Sequence, residues 1–296
     1  MKKVGIIGAG KWGEALSFAM SEKNEVIITS RTPRNWPNFR PLEEVLKCEY
    51  LIITVPAQQI GKWLEENFVF SGQKILVAAK GIEASSGRFL NEIYMQYIPS
   101  ENLCFLSGPS FAAEVIRSLP TALVINSTSL STAREFAALF PKFIRTYVSE
   151  DVIGAEITGA YKNVIAIAAG ICEGLGLGHN AAASLIARGL VEMERFGRAY
   201  GASQESFLGL SGAGDLFLTA SSSMSRNYRV GLGLAQGKNK EQVCMEIGEV
   251  SEGIGTAYAL HEIAEARGVY LPIAAEVYAI LEGKSPRQSL KDLIER

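Results

Sequence analysis

The chain has 296 residues, 48% hydrophobic and 20% charged, which is the composition of a globular protein and not of a disordered or fibrous one. At roughly 150 residues per domain it holds two domains. Its 29 Lys and Arg against 31 Asp and Glu leave a formal charge of -2, so no overall positive field gathers nucleic acid or an anionic membrane, and neither partner is expected. Cys48, Cys104, Cys172 and Cys244 are dispersed beside apolar stretches and read as buried thiols in a reducing compartment. His179 and His261 are the two histidines, far apart and far from any cysteine, so no metal site is expected. The N-terminus runs from Met1-Lys2-Lys3 straight into a short apolar run, too short for a signal peptide, and the longest apolar run, Val164 to Cys172, is about half a membrane span. A cytoplasmic protein is expected.

The first predicted strand, Val4 to Ile7, leads directly into Gly8-Ala9-Gly10-Lys11-Trp12-Gly13, which opens a predicted helix over Glu14 to Ser21. This is the context of the dinucleotide fingerprint. Gly8 permits the tight turn, Gly10 lets backbone approach a pyrophosphate, Gly13 lets helix pack on strand, and the helix N-terminus offers N–H donors to the anion. A ligand-free glycine turn is the plain alternative. The second strand, Glu25 to Thr29, ends where an NAD enzyme carries an acid about 20 residues past the fingerprint. Here it reads Thr29-Ser30-Arg31-Thr32-Pro33-Arg34. Two arginines in place of an acid suit a 2'-phosphate, against the alternative of solvated surface side chains. Three prolines between Arg31 and Pro41 predict a short, irregular crossover.

Further strands are predicted at Tyr50 to Val55, Lys74 to Ala78, Leu103 to Leu106, Thr121 to Ile125 and Phe143 to Tyr147. Several are apolar on consecutive residues, as parallel strands covered on both faces must be. The fold class is therefore α/β, with a Rossmann-like doubly wound parallel sheet over residues 1–150. Polar turns at Ala78 to Glu83 and Leu106 to Ala112 end two strands, where ligands of open sheets bind, and Lys80 stands at such an end.

Beyond about residue 150 the signals are helical: Val152 to Gly174, Asn180 to Tyr200, Gly214 to Ser221, Asn227 to Gln236, Lys240 to Ile247, Gly255 to Arg267 and Ile273 to Leu281. An all-helical domain over 151–296 follows. Lys162 and Asn163 interrupt an apolar helix, an expensive place for a charge unless it is paired or used. Asp215 follows Gly212-Ala213-Gly214, with Thr219 one turn on, and either caps a helix or serves a site. Ser225-Arg226-Asn227 is a third polar stretch that is either structural or part of a site.

At these residues the chain resembles the NAD(P)-dependent sn-glycerol-3-phosphate dehydrogenase family in its bacterial form, nearly end to end. The resemblance rests on the G-x-G-x-W-G opening, Ala79-Lys80-Gly81-Ile82-Glu83, Ser107-Gly108-Pro109-Ser110-Phe111-Ala112, Tyr161-Lys162-Asn163, Ala187-Arg188-Gly189-Leu190 with Glu192-Met193, Gly214-Asp215-Leu216, Ser225-Arg226-Asn227 and Val250-Ser251-Glu252-Gly253. It departs from the family in the shortened segment after the second strand. The resemblance implies that Lys162 is the proton donor and acceptor. It implies that Lys80, Gly108, Ser110, Asn163, Asp215, Thr219, Ser225, Arg226 and Asn227 surround the substrate. Gly8, Gly10, Lys11, Trp12, Gly13, Arg31, Lys80, Ala112, Arg226, Val250 and Glu252 then contact the cofactor, NADPH in preference to NADH. His179 matches no catalytic position and reads as structural.

The implied reaction is hydride transfer between NAD(P)H and dihydroxyacetone phosphate, giving sn-glycerol 3-phosphate for glycerophospholipid synthesis. A lysine ammonium can polarise the carbonyl and then release its proton. Burial near other cations would lower its pKa from about 10.4 toward the working range. The rivals are another Rossmann-plus-helical reductase, of β-hydroxyacid dehydrogenase or pyrroline carboxylate reductase type, and a non-catalytic NADPH-sensing module. A phosphate site separates the first, and a proton donor separates the second. Apolar, Ala-rich helices point to a homodimer.

Overall fold

The computed structural model describes residues 1–248 and 251–295. The chain forms two compact units, one of Met1–Ala79 with Leu90–Ala155, the other of Lys80–Phe89 with the chain from Glu156 on. The strands in chain order are β1 (Lys3–Ile7), β2 (Glu25–Thr29), β3 (Tyr50–Ile53), β4 (Lys74–Val77), β5 (Ile82–Glu83), β6 (Arg88–Phe89), β7 (Leu103–Ser107), β8 (Thr121–Asn126) and β9 (Ile144–Ser149).

In the first unit the seven long strands form one sheet in the order β2-β1-β3-β4-β7-β8-β9. Side-chain alternation divides its core between two faces. Val4, Ile6, Ile28, Ile52 and Leu76 meet Leu16, Ala19 and Met20 of the helix Lys11–Met20 on one side. Ile7, Ile27, Leu51, Ile53, Ile75 and Val77 meet Ile60, Leu64 and Ile93 on the other. The expected all-parallel sheet is corrected at one pair, because β7 and β8 run antiparallel, with Phe105 opposite Asn126. A parallel return needs a full crossover, usually helical, and the link from β7 to β8 contains only the four-residue helix Ala112–Val115. The longer helix Leu130–Leu139 lies between β8 and β9, which are again parallel.

The proline-rich crossover is better ordered than its composition suggests. Ile28 N donates to Asn38 O at 3.0 Å and Arg40 N to Ile28 O at 2.9 Å, so the segment runs beside β2 and covers the sheet edge. Trp36 and Phe39 pack against the core of that face.

The described elements from Val152 on are helical, as expected, and the second unit also takes in a hairpin from earlier in the chain. Lys80–Phe89, placed by sequence in the first domain, folds with the helices as the hairpin β5–β6. Its Ile82 is fully buried, and the Phe89 ring lies 6.4 Å from Phe196 and 5.3 Å from Tyr200. Aromatic burial holds the hairpin there. The helices are Val152–Gly174, most of it in this unit, then Gly178–Arg198, Gln204–Leu208, Asp215–Ala220, Arg226–Ala235, Lys240–Ile247, Glu252–Arg267, Pro272–Leu281 and Pro286–Glu295. Sequence patterning misses Gln204–Leu208, which is one turn long, and Pro286–Glu295, whose buried positions reduce to Ser289. Cys244 is exposed, against expectation, while Cys48, Cys104 and Cys172 are buried.

The helix Val152–Gly174 is long and apolar enough to cross a bilayer, yet 89% of its apolar window is buried inside the protein. The Ala-rich face that suggests a dimer is therefore covered within its own chain, with Ala166 and Ala169 buried. Glycines allow the close crossing with Arg226–Ala235. A Cβ on Gly170 would lie 2.0 Å from Tyr228 O, and one on Gly231 would lie 2.0 Å from Ile167 O. Backbone cannot yield as a side-chain tip does. Gly170→Ala is expected to lose about 1–3 kcal/mol by overpacking, visible as a lowered Tm in calorimetry; an unchanged Tm would disprove the close-crossing account.

Candidate active site

In the first unit the fingerprint divides by what each glycine is for. Gly8 has φ +112° and a Cβ there would sit 2.2 Å from Thr54 Oγ1, while a Cβ on Gly13 would sit 1.8 Å from Gly8 O. Both are demanded by the protein's own packing. Gly10 is not, since its φ of -81° suits any residue and a Cβ would meet no protein atom within 4 Å. A glycine required by nothing in the chain fits backbone that a pyrophosphate approaches. Gly10 N-caps the helix Lys11–Met20 without a side-chain cap, as an anion-binding N-terminus requires. Trp12 donates its indole N–H to Ala78 O at 3.1 Å and packs on the core. Lys11 and Arg31 are exposed, Arg31 just past the end of β2 with Arg34 exposed nearby.

Gly108 ends β7 with φ +102°, and a Cβ would lie 3.1 Å from Ala122 O, so backbone geometry explains this glycine. Ser110 Oγ donates to Gly108 O at 3.3 Å, and Ala112 begins a four-residue helix packed against the core. Val250 lies outside the described residues.

In the second unit the structure gathers Lys80, Lys162, Asp215 and Thr219. The Asp215 carboxylate, 1% exposed, accepts from Lys162 Nζ through Oδ1 and from Lys80 Nζ through Oδ2, each at 2.6 Å. Thr219, at i+4 on the helix Asp215–Ala220, donates to Asp215 O at 2.7 Å and accepts from Lys162 Nζ at 3.0 Å. Asp215 is the first residue of that helix, whose N-cap is Gly214, so the helix-capping alternative gives way to ion pairing. The preceding Leu210–Gly214 is a π-type turn with Gly214 N donating to Gly209 O at 3.1 Å, an irregularity that often marks functional positions. Lys80 lies across Gly159, where a Cβ would come within 3.3 Å of its side chain.

Burial pushes the Lys162 ammonium down to about 8, with Asp215 pulling it up and Lys80 pressing it further down. Burial pushes the Asp215 carboxyl up, but the two ammonium groups outweigh it and hold the group below the usual carboxylate range. With both lysines protonated the trio keeps one positive charge in excess. Lys162 has three N–H donors. Asp215 and Thr219 engage two of them.

Asn163 is buried, its amide donating to Gly159 O at 3.3 Å. Asn227 is buried on the first turn of Arg226–Ala235, where Arg226 is exposed. Ser225 caps that helix, accepting from Tyr228 N at 3.3 Å. Glu252 begins the helix Glu252–Arg267 and is among the charges acting on Lys162. His179 is exposed at the start of Gly178–Arg198. Among the described residues no cluster of His, Cys, Asp and Glu could hold a metal ion.

Sequence reasoning assigned no role to a second buried network. Tyr161 OH donates to Glu192 Oε1 at 2.7 Å, and Glu192 also accepts from the backbone N–H groups of Ile273 and Ala274, each at 2.9 Å. It thereby satisfies the start of the helix Pro272–Leu281. Burial pushes its carboxyl up against the pull of those donors. Both residues stand in stretches of notable pattern, but their pairing needs the fold.

Sequence profiles of the NAD-dependent glycerol-3-phosphate dehydrogenase N-terminus and C-terminus match residues 30–133 and 151–292. A glycerol-3-phosphate dehydrogenase [NAD(P)+] of Sulfurimonas denitrificans is 67% identical over 294 residues, 99% of each chain. One of Campylobacter jejuni is 53% identical over the same length, again 99% of each. The crystal structure of glycerol-3-phosphate dehydrogenase from Coxiella burnetii superposes with a TM-score of 0.92 at 31% identity, covering 100% of this chain and 99% of that one.

The differing reasons for Gly10 and Gly13 make a split expectation. Gly10→Ala should keep the wild-type Tm and weaken NADPH binding by at least about tenfold, some 1.4 kcal/mol, whereas Gly13→Ala should lower Tm. Calorimetry and fluorescence titration of NADPH check both, and unweakened binding by Gly10→Ala would remove the pyrophosphate from this turn.

Proposed function

The chain belongs to the NAD-dependent glycerol-3-phosphate dehydrogenase family, and on that premise we propose how its own residues divide the work of reducing dihydroxyacetone phosphate to sn-glycerol 3-phosphate. It is an NAD(P)-dependent oxidoreductase of a phosphorylated small molecule. A nicotinamide cofactor, when bound, would supply the hydride for the carbonyl carbon. Everything else falls to side chains.

The single observation that carries the reading is the buried Lys162 ammonium, held by Asp215 and Thr219 with one donor left over among the described residues. That donor polarises the substrate carbonyl oxygen and then gives it the proton; in the oxidative direction the neutral amine takes the proton back. A pKa near 8 keeps the group charged at neutral pH yet able to release its proton. Asp215 fixes the ammonium in place, and Lys80 adds positive charge beside the substrate. Arg226 and Asn227 hold the phosphate, the first by a guanidinium fork and the second by an amide donor. Asn163 and the turn residues Gly108 and Ser110 complete the substrate set. The family match favours this reading over the rival reductases, whose substrates need no phosphate site.

Gly10 seats the pyrophosphate in the turn that Gly8 and Gly13 shape, with Lys11, Trp12, Ala112 and Glu252 as further cofactor contacts. Arg31 favours the 2'-phosphate of NADPH over NADH, supported by β2 ending without an acid. Three buried, unpaired cysteines support a reducing, cytoplasmic setting, in which the product would feed glycerophospholipid synthesis.

Lys162→Ala is expected to lower kcat by at least about a hundredfold with the Kd for NADPH little changed. In the wild type, reduction should fall as pH rises through about 8, because the ammonium is then lost, and oxidation should rise through the same range. Lys80→Ala should keep that ionisation at lower amplitude and move it to higher pH, because Lys80 presses the Lys162 ammonium down. Near-normal turnover in Lys162→Ala with the ionisation intact would move the acid elsewhere. For the cofactor, Arg31→Ala should narrow the NADPH over NADH preference in kcat/KM by about 1–3 kcal/mol, the worth of a hydrogen bond to a charged group. Equal use of both cofactors, unaltered by the substitution, would remove Arg31 from that role.

A further inference from the structure

Ser251 stands at the N-cap of the helix Glu252–Arg267, where a serine hydroxyl ordinarily accepts from its own helix. It forms no such cap. Its Oγ donates instead to Asn227 Oδ1 at 2.5 Å, and Gly253 N donates to the same oxygen at 3.0 Å. Asn227, from a different helix, thus takes over the capping of this one. The arrangement also decides which way the amide faces. A backbone N–H can only donate, so the atom opposite Gly253 is the amide oxygen and not the nitrogen. Nδ2 is left on the far side as a pure donor. Gly253 makes the approach possible, since a Cβ there would lie 2.5 Å from Asn227 Oδ1 and 2.9 Å from Asn163 O.

We propose that Ser251 is a positioning residue for phosphate recognition: by holding the amide oxygen of Asn227, it presents Nδ2 to the acceptor-only phosphate of the substrate. This rests on the reading of Asn227 as a phosphate ligand. Without the hydroxyl the amide is held by one donor, and rotation turns its oxygen toward an anion. The seryl contact therefore acts on affinity for the phosphorylated substrate and not on hydride or proton transfer.

The test uses the full-length enzyme at saturating NADPH and measures kcat and KM for dihydroxyacetone phosphate, kcat/KM for dihydroxyacetone, and Tm. Asn227→Asp keeps an oxygen for Ser251 and Gly253 but loses the donor and adds a negative charge. It should hold Tm at or above wild type and lower kcat/KM for dihydroxyacetone phosphate roughly a hundredfold, with dihydroxyacetone little affected. Ser251→Ala should raise KM for dihydroxyacetone phosphate roughly three- to tenfold with kcat nearly unchanged, and Ser251→Thr should restore it. Should Ser251→Ala fold poorly, Ser251→Gly reads the same loss. If Asn227→Asp leaves the preference for the phosphorylated substrate intact, the underlying reading of Asn227 fails. If Asn227→Asp abolishes that preference while Ser251→Ala leaves it at the wild-type value, or only lowers Tm, the positioning role is overturned and the phosphate reading stands.

Discussion

A single carboxylate, Asp215, sits between two ammonium groups in a place where water does not reach it, and the chemistry proposed for the second unit depends on that contact. Taking three charges out of water costs several kcal/mol per ion, and only close, multiply bonded geometry offsets it. Asp215 is thereby the partner on which both lysines depend, because removing it leaves two ammonium groups together without a counter-charge, whereas removing either lysine leaves the other paired. The balance also sets the acid strength of Lys162. Burial alone would leave a neutral amine, and full pairing alone would leave an ammonium too weakly acidic to act. Burial opposed by Asp215 and assisted by Lys80 leaves it between these limits.

Rigid surroundings keep that balance in place. Lys162 projects from a helix wedged against its neighbour at Gly170 and Gly231, where backbones approach too closely to slide. The adjacent Tyr161 ties the same helix, through Glu192, to the start of Pro272–Leu281. Thr219 and the π-type turn fix Asp215 from the other side. A general acid needs placement within a fraction of an ångström, and the one proposed here is held by backbone contacts and paired buried polar groups.

Much of this was legible in the chain before the fold was known. Strands buried on both faces announce themselves as continuous Val and Ile runs, and Val152–Gly174 has the bounds that its apolar pattern predicts. Lys162 and Asp215 stood out because charge in apolar or glycine-framed sequence demands a partner. What stayed hidden depends on contacts between distant residues. The antiparallel β7–β8 pair follows from a link too short on helix to cross over, which periodicity does not report. The attachment of Lys80–Phe89 to the helical unit follows from aromatic contacts across a hundred residues. Ser251 occupies an N-cap position, and only its diverted hydroxyl distinguishes it from an ordinary cap.

The hairpin β5–β6 has a bearing on how the chain is made. Ribosomal synthesis proceeds from the N-terminus, and domains generally fold as they emerge. Lys80–Phe89 leaves the ribosome within the sheet-bearing unit, but the rings that cover Phe89, those of Phe196 and Tyr200, follow only roughly a hundred residues later. Until then the hairpin has no core to join, and Ile82 and Phe89 remain in water. The first unit must therefore close its sheet around an open loop, bringing β4 and β7 together while Lys80–Phe89 waits. Lys80 is thus committed to its position last, by the half of the chain that also brings Lys162 and Asp215, so no charged cluster can assemble before the helices exist to bury it.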